Sequence, residues 1–219
     1  MADIIGIVQV KGGVGRSTIA TNLAAILSLR KPTALVDCDL PQGTSASWYE
    51  VRKGEMPPEN LTLAAARDHR ELVSRVAELS GGHRYVVIDG PPRLAAMTRA
   101  IIVMSQLCLV PLNASAAEIW STADLVRTVE EARQVRSDVD ARIVWNRFRG
   151  NTREAQELSA AARDELNLSE MATRLGYRVA YSEALARGLS VDEWLDRTAH
   201  AEMRALVDEV RAILKGRRP

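Results

Sequence analysis

Apolar positions fall into short continuous runs separated by longer stretches with helical spacing. Ile4-Ile5-Gly6-Ile7-Val8-Gln9-Val10 is the first run, rich in β-branched residues, and predicts a buried strand. Ile19, Leu23, Ile26 and Leu27 then recur at three- and four-residue intervals, predicting a helix from Ile19 to Leu29 with Ser17 or Thr18 in its first turn. The same reading places strands at Thr33–Asp37, Leu61–Ala65 (an edge strand), Tyr85–Asp89, Leu107–Val110 (closed by Pro111), Ala141–Asn146 and Met171–Leu175. Helices fall at Gly43–Arg52, His69–Leu79, Leu94–Met104, Ala116–Val135, Thr152–Leu166, Ser182–Ala186 and Ala199–Leu214, with Gly81-Gly82 as a stop signal and Pro57-Pro58 as a loop.

Strands alternating with helices predict an α/β fold: a mostly parallel twisted sheet with helices on both faces. The pattern contains no internal repeat, low-complexity segment or linker, so residues 1–219 form one expected domain. In such sheets ligands sit at the carboxyl ends of the strands. The residues at those places are polar here: the loop around Lys11, Asp37 and Asp39, Asp89, Asn113 and Asn146.

The loop has the clearest chemistry. Lys11-Gly12-Gly13-Val14-Gly15-Arg16-Ser17-Thr18 joins the first strand to the first helix. Glycines let successive N–H groups converge, and the helix N-terminus adds positive potential, which suits a phosphate. The common phosphate-loop pattern is Gly, four residues, Gly-Lys and then Ser or Thr. Gly15 and Ser17 fit it, while Val10 holds the first glycine position and Arg16 the lysine position. Asp89, ending an apolar strand, and Ser17 are candidate oxygen ligands for a Mg²⁺ that offsets the phosphate charge. Asp37 and Asp39 lie two apart and project to one side of a continuing strand. Asp37 suits the water shell of the metal, and Asp39 suits positioning an attacking water.

Composition narrows the setting. Apolar residues make up 47% and the net charge is +1, so nucleic-acid binding requires a local patch rather than a global charge. Cys38 and Cys108 both lie in apolar runs without a Cys-x-x-Cys spacing, which predicts buried, reduced thiols in a cytoplasmic protein. The N-terminus enters a strand without a basic segment, so no signal peptide is expected. No apolar run approaches the roughly 18 residues of a membrane span.

Lys11 at the head of the loop resembles the signature lysine of the deviant Walker A motif in ParA/MinD ATPases. In that family the lysine reaches across a dimer to the partner's nucleotide. Val36-Asp37-Cys38-Asp39, followed by Pro41-Gln42-Gly43, resembles the family's Val-Asp-x-Asp-Pro-Gln-Gly segment, with Leu40 as an extra residue. Val87-Ile88-Asp89-Gly90-Pro91-Pro92 resembles its Walker B segment, and Tyr181-Ser182-Glu183-Ala184 through Glu193 a late family stretch. The likeness runs to about residue 194 and suits the small ParA type without an N-terminal helix-turn-helix.

The resemblance implies an ATPase using ATP and Mg²⁺, with Lys11 and Asp39 catalytic and Lys11 to Thr18 on the nucleotide. It implies a homodimer in the ATP state, binding to non-specific DNA, association with the nucleoid and a ParB-like adaptor that stimulates hydrolysis. Asn146 either reads adenine, as the matching residue does in relatives, or bonds its own turn. Arg178, Arg204, Arg211, Lys215, Arg217 and Arg218 are the candidate DNA contacts; the alternative is solvated helix faces. Two other functions stay open: a MinD-like membrane-associated ATPase, or a slow-hydrolysing switch because of Arg16. Restoring lysine at position 16 is expected to match or exceed natural turnover.

Overall fold

The computed structural model describes residues 2–40, 42–55, 59–93, 95–150 and 152–217. Pro41, the Pro57-Pro58 loop, Leu94 at the expected start of a helix, and Arg218 lie outside them. In chain order the elements are β1 Asp3–Ile7, α1 Arg16–Ser28, β2 Thr33–Asp37, α2 Thr44–Glu55, β3 Leu61–Ala65, α3 His69–Leu79, β4 Tyr85–Asp89 and α4 Ala96–Met104. There follow β5 Leu107–Leu112, α5 Ala116–Val135, β6 Ala141–Trp145, α6 Arg153–Leu166, β7 Ser169–Glu170, α7 Ala180–Ala186, a 3₁₀ turn Val191–Glu193 and α8 Arg197–Gly216.

Among the described residues the strands form one parallel sheet in the order β3-β2-β4-β1-β5-β6-β7. β1, which feeds the phosphate loop, is therefore central, and β4 with Asp89 is its neighbour. Strand alternation sends Ile4, Val8, Val86 and Ile88 to one face and Ile5, Ile7, Tyr85 and Val87 to the other. The first face is covered by α3, α4, α5 and α6, and the second by α1, α2, α7 and α8. Both faces are buried, which is why the strands read as continuous apolar runs. Gly6 permits the close approach of α4: a Cβ there would stand 2.5 Å from Ile101 Cγ2.

Two expectations change. β5 runs through Pro111 to Leu112 instead of closing before it. Pairing with β1 ends at Leu109, so at Pro111 only β6 lies alongside and the missing N–H breaks no ladder on the other side. Residues 171–175 do not form the last strand; that is the two-residue β7 just before them. The Glu209 carboxylate on α8 accepts from the N–H groups of Ala172 and Thr173 at 2.6 and 2.9 Å. Those amides are consequently satisfied by a side chain and not by a neighbouring strand.

The apolar stripe of α8 is used inside the molecule. Met203, Leu206, Val207, Val210 and Leu214 are all buried against the sheet. No helix among the described residues is long and apolar enough to cross a membrane.

Candidate nucleotide site

The phosphate loop leaves β1 and turns through two glycines in the left-handed region, Gly13 at φ 78° and Gly15 at φ 95°. A Cβ at Gly12 or Gly13 would meet nothing within 4 Å, so the crest of the loop is open. α1 begins at Arg16 with no side chain capping its first turn and no acidic residue in it. Its leading N–H groups are thus available to an anion, unlike those of α3, which Asp68 caps. Gln9 braces the loop from below, accepting from Val10 N–H at 2.8 Å and donating to Thr122 Oγ1 at 3.0 Å.

Asp89 closes the floor. It is fully buried, and Oδ2 accepts from the Ser45 hydroxyl at 2.7 Å, while Oδ1 has no hydrogen-bond partner among the described residues. Burial pushes its carboxyl up to about 7, with the hydroxyls of Ser45 and Ser17 pulling the other way. A buried, incompletely satisfied carboxylate beside two hydroxyls is the donor set a hard cation prefers, so these residues fit Mg²⁺. Ser45, at the start of α2, carries no motif signal in the sequence; only the fold brings it to Asp89.

Asp37, also fully buried, is used locally: Oδ1 accepts from Asp39 N–H and Oδ2 from Ala46 N–H, both at 2.9 Å. It holds the loop that carries Asp39 and fixes the start of α2. Asp39 is partly buried, and its Oδ2 lies 3.8 Å from Arg16 Nη2. Burial raises its carboxyl, and Arg16 opposes that rise.

Lys11 is half-exposed on the rim, with Nζ 3.9 Å from Glu118 Oε1. Glu118 is itself held by the Asn113 backbone and side-chain N–H groups, each at 2.8 Å. Among the described residues Asn146 makes no side-chain bond to its own turn: Nδ2 donates to Val14 O at 2.8 Å and so ties the end of β6 to the loop. Beside it, Gly15, Thr18, Asn146, Arg147, Tyr177 and Arg178 border a cavity of about 350 Å³. A larger cavity of about 720 Å³, around Arg149, Arg174 and Tyr177, lies next to it and does not touch the phosphate loop.

The late stretch that resembled the family serves as an anchor. Buried Arg52 makes a two-pronged pair with Glu193 at 2.8 and 2.9 Å, and its Nη1 also donates to Gly188 O at 3.0 Å. Asn22 on α1 accepts from Val191 N–H at 2.8 Å, so the 3₁₀ turn is fastened to the helix behind the loop.

Residues 5–191 match the CobQ/CobB/MinD/ParA nucleotide binding domain. The chain belongs to this family. Within it, Maintenance of carboxysome distribution protein A of Halothiobacillus neapolitanus is 27% identical over 97% of this chain and 95% of its own length. The chromosome-partitioning ATPase Soj of Thermus thermophilus is 31% identical over 95% of both. Among solved structures, apo McdA of Cyanothece aligns with a TM-score of 0.81 at 18% identity, covering 96% of this chain and 100% of that one. Pyrococcus horikoshii MinD, complexed with Mg-ADP, aligns at 0.76 and 18%, covering 96% of each. The family match and the likeness to Soj place this protein with the P-loop ATPases of ParA/MinD type, and the structural likenesses bear out the α/β fold.

Four of the expected DNA contacts are paired with carboxylates. Arg178 pairs with Glu202 at 2.7 Å, Arg204 with Asp192 at 2.6 Å, Arg211 with Asp208 at 3.3 Å and Arg217 with Asp140 at 2.9 Å. Lys215 is exposed in the last turn of α8. By contrast Arg147, at φ 50° on the border of the smaller cavity, and Arg149, on the border of the larger one, are exposed and make no ion pair among the described residues.

Proposed function

We propose that this ParA/MinD-family protein hydrolyses ATP with Mg²⁺, dimerises in the ATP-bound state and, in that state, holds non-specific DNA to position a cargo. The observation that carries the reading is Asp89: a fully buried carboxylate with an unpartnered oxygen, under a phosphate loop whose helix start is uncapped. Mg²⁺ bound there by Ser17 and Asp89, with Asp37 behind them, would offset the charge of the phosphates. Asp39 orients the attacking water, and Lys11, half-exposed on the rim, is placed to reach a second subunit.

The partitioning and carboxysome-distribution relatives support positioning as the output, and a ParB-like adaptor on the cargo is the partner that stimulates turnover. Burial of the α8 stripe favours this reading over a membrane-associated one, because those apolar side chains are occupied by the core. ATP turnover measured with and without DNA, beside DNA retention in ATP and in ADP, tests the proposal. The ATP state is expected to retain DNA better and to lose it steeply as salt rises from about 50 to 200 mM, through counterion release. Equal, weak retention in both states refutes the DNA-bound cycle.

A further inference from the structure

Arg16 is where this chain departs from the phosphate-loop pattern, and its surroundings give the departure a use. The side chain is only 6% exposed. Nε donates to Gly90 O at 2.9 Å, and Nη1 donates to Gln9 O at 3.0 Å and to Lys11 O at 2.5 Å. These carbonyls belong to three places: the segment leaving β1, the head of the loop, and the residue after β4. Nη2 alone remains, facing Asp39 at 3.8 Å.

A guanidinium spreads five donors over a rigid fork, whereas an ammonium offers three from one point on a flexible stem. Three diverging carbonyls match the fork and not the point. Swinging Arg16 out to a phosphate would strip all three of a charged donor, and hydrogen bonds of that kind are about twice as strong as neutral ones. Leaving the three carbonyls therefore costs that stabilisation, and Nη2 is the guanidinium nitrogen not bonded to a backbone carbonyl.

We propose that Arg16 is a positioning residue: a fixed strut that keeps its three carbonyl contacts through the nucleotide cycle, holding the phosphate loop against the end of β4 and setting Asp39 through Nη2. Only the action on Asp39 rests on the ATPase reading; the strut itself requires no nucleotide. The consequence is the reverse of what family resemblance implies, since lysine at position 16 removes the strut instead of restoring function.

Arg16→Lys tests this in two ways. Without nucleotide, its melting temperature should fall by roughly 4–10 °C, the shift that losing a few kcal/mol gives in a chain of this size. In ATP hydrolysis, kcat should fall about tenfold or more with a smaller change in KM, the mark of an interaction expressed in the transition state. Asp39→Asn supplies the control for action through Asp39: in that background the kcat loss from Arg16→Lys should largely vanish, because coupled residues are non-additive. An equal loss in both backgrounds overturns the coupling. A variant that melts with the natural protein and turns over as fast or faster overturns the whole proposal.

Should Arg16→Lys fail to fold, the natural protein carries the test. The ¹⁵N signal of Arg16 Nε–H should show slow exchange without nucleotide and stay protected with Mg-ADP or a non-hydrolysable ATP analogue. Rapid exchange without nucleotide refutes the strut, and protection lost only on nucleotide binding refutes its being fixed. A protected Nε–H in a protein that does not hydrolyse ATP leaves the strut standing and removes the ATPase reading instead.

Discussion

Ser45→Ala isolates the hydrogen bond that the sequence did not reveal. In the folded protein the Ser45 hydroxyl is the donor at 2.7 Å to Asp89 Oδ2, and Oδ1 has no other described partner. The folded Asp89 carboxyl titrates at about 7, above its ordinary range of about 4. Between those values the folded chain holds a proton that the unfolded chain has released, so this group lowers stability as pH rises through that window.

Ser45 favours the ionised form, and its removal should therefore cost more on the alkaline side. At pH 8 the lost bond is charge-assisted, about 1.5–3 kcal/mol; at pH 5, with Asp89 protonated, it is neutral, about 0.5–1.5 kcal/mol. Urea unfolding at the two pH values, without nucleotide and with a chelator, measures the difference. The small void left by the hydroxyl is the same at both and cancels. In an Asp89→Asn background the pH dependence of the Ser45→Ala effect should disappear. An equal loss at pH 5 and pH 8, or a larger one at pH 5, refutes the coupling between Ser45 and the Asp89 charge.

Asp39→Ala should keep ATP binding and ATP-dependent dimerisation while slowing turnover on the order of a hundredfold, the size of losing a positioned base; normal turnover removes Asp39 from the mechanism. Asp89→Ala should instead weaken Mg²⁺-dependent ATP binding, read by titration with and without the metal. Lys11→Ala should give a monomer that binds ATP yet forms no dimer and holds no DNA, measured by sedimentation. Dimerisation with ATP in that variant removes the cross-subunit role, leaving Lys11 as the partner of Glu118 seen within one chain.

The sequence by itself determined the parallel α/β architecture, because strands buried on both faces must be continuously apolar and the helices between them must repeat at helical spacing. It also determined the phosphate loop and the strand-end carboxylates. Glycines with a helix start beyond them, and an Asp closing an apolar run, are local signals that fall within a few residues of one another. Pro111 misled that reading since its tolerance depends on where β1 stops alongside β5, which is a matter of register between distant segments.

Only the tertiary structure decided how each charged group is used. Ser45 meets Asp89 across 44 positions and Arg16 meets Gly90 across 74, distances over which no spacing rule operates. Asp37 and Asp39 look alike in the sequence, yet one is fully buried on backbone amides and the other faces a guanidinium. The late arginines look like a basic patch when counted along the chain. Folding sets Arg178, Arg204 and Arg217 beside carboxylates distant in sequence, whereas Arg211 pairs with Asp208 one helical turn away, a spacing the sequence does show.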